Sequence, residues 1–195
     1  MTVTPETFEK QMQWLSDDNY TTIDLNTFVS IIKGERAGPT KPIVITFDDN
    51  QESQYTEALP VLQKHHQIAV FYLITGRINA ATLLSTAQIK EMSADGMDIE
   101  SHTITHRVLT LLSLSELDKE LTQSKKTLET LLGKTILHIA YPGTAHNKTV
   151  REHAAAAGYI TGTIMDPRNA TEKDDLMKLP RIMMTDDTNL TKVLP

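Results

Sequence analysis

The chain has 195 residues, 39% of them hydrophobic and 23% charged, the balance of a folded domain with its own buried core. A formal net charge of −6 argues against nucleic acid or an anionic membrane surface as the main partner, because both recruit a basic face. With no cysteine there are no disulfides and no thiolate ligands, so any metal must be held by His, Asp or Glu.

No apolar run approaches the roughly 20 residues that a membrane helix needs, so membrane insertion is not expected. The opening MTVTPETFEK lacks the basic-then-apolar layout of a signal peptide, which leaves location open. Thr4-Pro5 is a helix-start signal, and Phe8, Met12 and Leu15 follow at helical spacing. They give a helical lead-in over 1–40, closed by the loop-like KGERAGPTKP (33–42).

Residues 41–195 then alternate, and the whole chain reads as one domain. Apolar, strand-like runs fall at 43–47, 68–74, 97–100, 136–141, 159–164 and 179–184. Helical stretches fall near 53–65, 86–95, 115–132 and 147–157. In the third, Leu117, Leu121, Leu128 and Leu131 form an apolar stripe, Ser115 with Asp118 resembles a capping box, and Gly133 ends the helix. Strict alternation predicts a parallel α/β sheet with helices outside it, as an open doubly wound sheet or a barrel. Near-continuous apolar strands agree with burial on both faces.

Sites in such folds sit at the carboxyl ends of the strands. Three polar clusters fall there: Asp48-Asp49 after the first run, SHTITH (101–106) after the third and YPGTAHN (141–147) after the fourth. On a helix, His102 and His106 would share one face and could share a metal; the plainer reading is two surface histidines. With a carboxylate from the neighbouring strand end they make a two-His, one-carboxylate zinc set that leaves a position open for water. Adjacent side chains on an extended backbone point to different sides, so one aspartate can bind metal while the other takes a proton from water. The plainer reading of Asp-Asp-Asn is a turn capping the next helix. Pro142-Gly143 is a turn that exposes an amide N–H, the donor type that stabilises a developing oxyanion.

ITFDD, SHTITH and AYPG, in this order and at these separations, resemble the polysaccharide deacetylases of carbohydrate esterase family four. The resemblance covers roughly residues 40–184 and extends to the connecting segments. It implies a distorted (β/α) barrel with fewer than eight parallel strands. It implies Asp48 as general base, and Asp49, His102 and His106 as ligands of zinc, or of cobalt or nickel in its place. It further implies the Gly143 amide as oxyanion donor and Ser101 or Thr103 as a support for the ligands. The implied reaction is metal-assisted hydrolysis of acetyl groups on N-acetylhexosamine units of peptidoglycan, poly-N-acetylglucosamine or a chitin-like polymer. The implied location is extracellular or at the cell envelope.

Departures from the family pattern are visible. Asn50 stands where Gly is usual after the aspartates, and Asn accepts the same left-handed backbone. Gly143-Thr144 replaces an aromatic-Gly pair, and no Arg precedes Tyr141-Pro142 to orient the base. The late Leu-x-His that supplies a general acid is missing, since no histidine follows His153. His146 is the histidine available as acid, and Tyr141, Pro142 and Arg181 are taken as substrate-facing. Asp166, Arg168 and Arg181 have a plainer reading as loop or structural ion pairs. His65-His66 reads as a helix C-terminal contact, 171–175 as a solvated loop and 182–184 as core. Two further functions fit the same residues: a polysaccharide O-acetyl esterase and a glycan-binding domain without turnover.

Overall fold

Thr4 accepts a hydrogen bond from the Thr7 amide and Pro5 fills the first turn, which starts helix α1 (Pro5–Asp17) where the sequence signals it. The structure, a computed structural model, describes residues 3–194. A short parallel pair, β1 (Thr21–Thr22) and β2 (Pro42–Ile43), brackets α2 (Leu25–Ile32). The predicted strand 43–47 is therefore divided: Ile43 pairs with Thr22, and β3 (Thr46–Asp48) joins the main sheet.

A π-helical turn at Gln54–Ala58 leads into α3 (Leu59–Lys64), and the alternation follows: β4 (Val70–Leu73), α4 (Thr86–Ala94), β5 (Asp98–Ser101), α5 (Leu114–Leu132), β6 (His138–Ala140), α6 (Lys148–Ala156), β7 (Thr161–Met165), β8 (Leu179–Arg181) and α7 (Leu190–Val193). Six parallel strands in the order β3-β4-β5-β6-β7-β8 curl into a half-barrel, the α/β architecture with fewer than eight strands that the resemblance implies. β3 and β8 are the sheet edges. Arg181 of β8 reaches across to Thr46 and Asp48 of β3, so a side chain completes the curl.

Two apolar layers hold this frame. Outside the sheet, Leu117, Leu121 and Leu128 of α5 pack with Ile99 and Ile139. Inside it, Leu25 of α2 packs with Val70, Tyr72 and Ala140 and plugs the barrel. The α5 cap differs from expectation by two residues: Ser113 accepts from the Glu116 amide, and Glu116 accepts from the Ser113 amide. Gly133 ends the helix at φ 68°, as its position suggests. The last run also falls short, because pairing stops at Arg181 and Met183 is 51% exposed rather than core. His65 caps α3 and pairs with Glu9 of α1 at 2.8 Å.

Gly162 in β7 lies under the Tyr141 ring: a Cβ there would meet the Tyr141 hydroxyl at 2.3 Å and ring carbon Cζ at 2.4 Å. Tyr141 is 2% exposed and has no room to retreat. Gly162→Ala is expected to cost about 1–3 kcal/mol by overpacking, read as a lower urea midpoint at unchanged slope; an unshifted midpoint would show that the ring moves freely.

Candidate active site

Asp48 is the last residue of β3 and Asp49 the first beyond it, with a left-handed φ of 76° followed by 59° at Asn50. That reversal is held by Asn50, which is fully buried: its Nδ2 donates to the Ile74 carbonyl (3.0 Å) and its Oδ1 accepts from the Ile74 amide (2.6 Å). Glycine would allow the same backbone but not these two bonds. The side chains of the two aspartates consequently face different partners.

Asp48 faces Arg181. Nη1 donates to Oδ1 and Nη2 to Oδ2, both at 2.8 Å, while Nη1 also donates to Thr46 Oγ1 at 3.0 Å. The guanidinium lies 5.2 Å from the centre of the Tyr72 ring. Burial acts to raise the Asp48 pKa, but Arg181 outweighs it and holds the carboxyl below its usual range. Arg181, expected to face substrate, is instead turned inward onto Asp48 by this parallel pair of charge-assisted bonds. The arginine missing before Tyr141 is thus matched by one from β8.

Asp49 faces the histidines: its Oδ1 lies 3.6 Å from His102 Nε2 and 3.4 Å from His106 Nε2. The two imidazole rings stand 4.8 Å apart at 71°. His102 Nδ1 donates to the Ala140 carbonyl at 2.7 Å, which turns the unprotonated Nε2 toward Asp49. Burial, partly offset by Asp48, keeps the His102 imidazole below its usual pKa and so neutral. Asp49 Oδ1 is buried with no hydrogen-bond donor among the described residues. One carboxylate oxygen and two imidazole nitrogens within 4.8 Å of one another, one of them an orphaned buried acceptor, fit a divalent ion such as zinc.

SHTITH is not helical, contrary to the simplest use of its spacing. Thr103 and His106 have φ of 67° and 62°, and the loop is pinned from several sides. Glu120 of α5 accepts from the amides of Ile104 (2.8 Å) and Thr105 (3.0 Å) and from the Thr105 hydroxyl. Ser101 Oγ accepts from the Thr103 amide and Thr103 Oγ1 from the His106 amide, each at 3.2 Å. Glu120 carries no motif, but it sits between Leu117 and Leu121 on the buried stripe of α5, and a carboxylate there needs donors.

Gly143 adopts φ 56°, and nothing lies within 4 Å of where its Cβ would be. The turn's hydrogen bonds run from the amides of Thr144 and Ala145 to the carbonyls of Tyr141 and Pro142, so they leave the Gly143 amide unused. Tyr141 and Pro142, expected against substrate, are buried; Tyr141 fills the space above Gly162. His146 stacks on Tyr141 with ring centres 5.9 Å apart at 10°, and its Nδ1 donates to the Thr144 carbonyl at 3.0 Å. Asp166 and Arg168 form an exposed pair at 3.0 Å, the plainer of their two readings.

The polysaccharide deacetylase family profile matches residues 35–162, and the chain belongs to that family. It is 30% identical to the Bacillus subtilis protein YxkH over 178 residues, which are 91% of this chain and 64% of that protein. It is 29% identical to the poly-beta-1,6-N-acetyl-D-glucosamine N-deacetylase of Staphylococcus epidermidis over 95% of this chain and 68% of that one. The chain thus spans less than two thirds of YxkH. The Streptococcus pyogenes deacetylase PplD, solved with acetate, superposes with a TM-score of 0.96 at 28% identity, covering 99% of this chain and 88% of that one. BC0361, a polysaccharide deacetylase from Bacillus cereus, gives 0.86 at 30% identity, covering 98% and 62%.

Because Arg181 lowers the Asp48 pKa on folding, their pair contributes stability above about pH 4, the unfolded carboxylate range, and loses it as pH falls through the folded-state value. Arg181→Met keeps the volume and removes the charge. The stability gap to wild type, from urea unfolding, is expected to be widest at neutral pH and to narrow in acid; a gap independent of pH would mean that the pair does not couple to Asp48 ionisation.

Proposed function

We propose that this chain is a metal-dependent hydrolase that removes acetyl groups from N-acetylhexosamine units of a polysaccharide. The observation that carries the reading is the convergence of Asp49, His102 and His106 beside an aspartate that Arg181 keeps ionised. Asp49, His102 and His106 would hold the ion, which would supply a Lewis acid and make a nearby water easier to deprotonate. Asp48, anionic at neutral pH, takes the proton from the attacking water; Arg181 occupies one lone pair of each oxygen and leaves others free. The Gly143 amide donates to the oxygen that becomes negative as the acetyl carbon turns tetrahedral. The leaving amine needs a proton. His146 is the candidate donor through Nε2, since Nδ1 is committed to Thr144.

Likeness to the staphylococcal poly-N-acetylglucosamine deacetylase makes poly-N-acetylglucosamine the first substrate to try, and a polymer substrate supports work outside the cell or at its envelope. Among the described residues no helix is long and apolar enough to cross a membrane. One observation favours O-acetyl ester substrates instead. His146 is held against Tyr141 and Thr144 rather than in the Asp49–His102–His106 cluster, and an alkoxide leaving group depends less on an acid than an amine does.

Acetate release from N-acetylglucosamine oligomers and from acetylated xylan, by chelator-stripped protein and after zinc is restored, tests the reading. Release from the oligomers only with metal is expected. Release from xylan alone would make the enzyme an esterase, and none from either, with measurable glycan affinity, a binding domain. Asp48→Asn should abolish turnover while zinc stays bound; surviving activity would remove Asp48 as the base. Glu120→Ala, which frees the Ile104 and Thr105 amides, is expected to weaken zinc binding about 10–100-fold in a chelator competition, and unchanged affinity would show that the loop holds its shape without it.

A further inference from the structure

The opposite end of the barrel carries a second cluster that the proposed reaction does not use. Asp98 and Glu100 lie on the inward face of β5, and with His138 of β6 they offer ligand atoms within 4.8 Å of one another. They border a cavity of about 240 Å³ at the amino end of the strands, which Asp24, Asn26 and Lys134 also line. Glu100 is 2% exposed and His138 fully buried.

The carboxylates here are short of donors. Both hydrogen bonds to Glu100, from the amides of Leu137 (3.1 Å) and His138 (2.8 Å), end on Oε2, and Oε1 takes none among the described residues. Asp98 Oδ2 is buried and takes no hydrogen bond among the described residues. Lys134 and Lys125 act on them only at a distance, and neither forms an ion pair with Asp98 or Glu100 among the described residues. Lys125 is occupied by Glu129 and the Ile136 carbonyl, and Lys134 forms no ion pair among the described residues.

The imidazole suits a ligand. With Nδ1 donating to the Thr161 hydroxyl oxygen, Nε2 keeps its lone pair for a ligand. Nδ1 lies 2.8 Å from Thr161 Oγ1, and Nε2 is 3.3 Å from Asn26 Oδ1 at the cavity wall. Two carboxylates, an imidazole and an amide oxygen gathered at the inner end of this open cavity are a donor set for a first-row divalent cation.

We propose that Asp98, Glu100 and His138, with Asn26 as a fourth donor, bind a divalent cation at the amino end of the barrel, separate from the Asp49–His102–His106 cluster. The ion would add a countercharge in direct contact with both carboxylates and tie α2 to β5 and β6. Binding to the folded chain alone stabilises it by mass action.

His102→Ala removes the other cluster as a competitor, and the readout is metal content rather than turnover. Chelator-stripped His102→Ala protein is dialysed against Zn2+ or Mn2+, and bound metal is measured by mass spectrometry alongside the melting temperature. One equivalent per chain and a raised melting temperature are expected. Adding Asp98→Asn, at the partly exposed mouth of the cavity, should lower the affinity at least about ten-fold and abolish the thermal shift. His138→Gln in the same background should do the same; where it fails to fold, Asp98→Asn decides alone. A His102→Ala protein that retains no metal overturns the proposal, and so does retention that Asp98→Asn leaves unchanged.

Discussion

Six strands leave a barrel unclosed, and here one guanidinium spans the seam. β3 and β8 share no backbone ladder, yet Arg181 at the end of β8 binds Thr46 and both oxygens of Asp48 on β3. Taking an arginine and an aspartate out of water is costly, and a single contact would not offset it. Two parallel charge-assisted bonds, a third to Thr46 and the face of Tyr72 satisfy most of the guanidinium, although its Nε has no partner among the described residues. The same bonds fix the carboxylate proposed as base in position and charge. Closure of the fold and ionisation of Asp48 are therefore one interaction, and neither can be altered alone.

Everything else at that end follows from keeping Asp49 out of Arg181's reach. Two adjacent aspartates would both be drawn to a single cation, and the left-handed turn at 49–50 prevents it. Asn50 holds the turn by pairing with both backbone groups of Ile74, so β3 and the end of β4 act as one rigid piece. Across the site, Glu120, Ser101 and Thr103 hold the histidine loop in a shape that two non-glycine residues with positive φ would not keep unaided. Rigid support of this kind is what three side chains proposed to bind a metal require.

The sequence exposes one half of this arrangement and hides the other. Asp48, Asp49, His102 and His106 are legible because each lies just past an apolar run, where an α/β sheet collects its polar ends. The supports are not legible by that route. Arg181 meets Asp48 across 133 positions of chain, and no local pattern encodes the pairing. Glu120 looks like any helix-surface glutamate until its place on the Leu117–Leu121 stripe is noticed. Spacing misleads where backbone geometry is unusual: the four-residue step from His102 to His106 suggests a helix, whereas left-handed residues bring the rings together in a loop. Tyr141 and Pro142 look exposed in a turn motif but are drawn inward, because a tyrosine beside the bare backbone of Gly162 buries more surface there than facing water.

Alternation along β5 explains how such a small barrel can be polar at both ends. Ile99 and Ser101 face α5, where Ile99 joins the outer core, while Asp98 and Glu100 face inward. The inner apolar plug is small, with Leu25, Val70, Tyr72 and Ala140 at its centre. The outer cluster is far larger, so most hydrophobic stabilisation lies between sheet and helices rather than inside the barrel. An interior that contributes little to the core is free to carry charge. Tyr72 marks the division: its ring supports Arg181 on the side of the proposed base, while its neighbour in register on β5 is Glu100 of the opposite cluster. Tyr72 thus stands between the two sets of carboxylates, its ring against Arg181 at one end and its backbone beside Glu100 at the other.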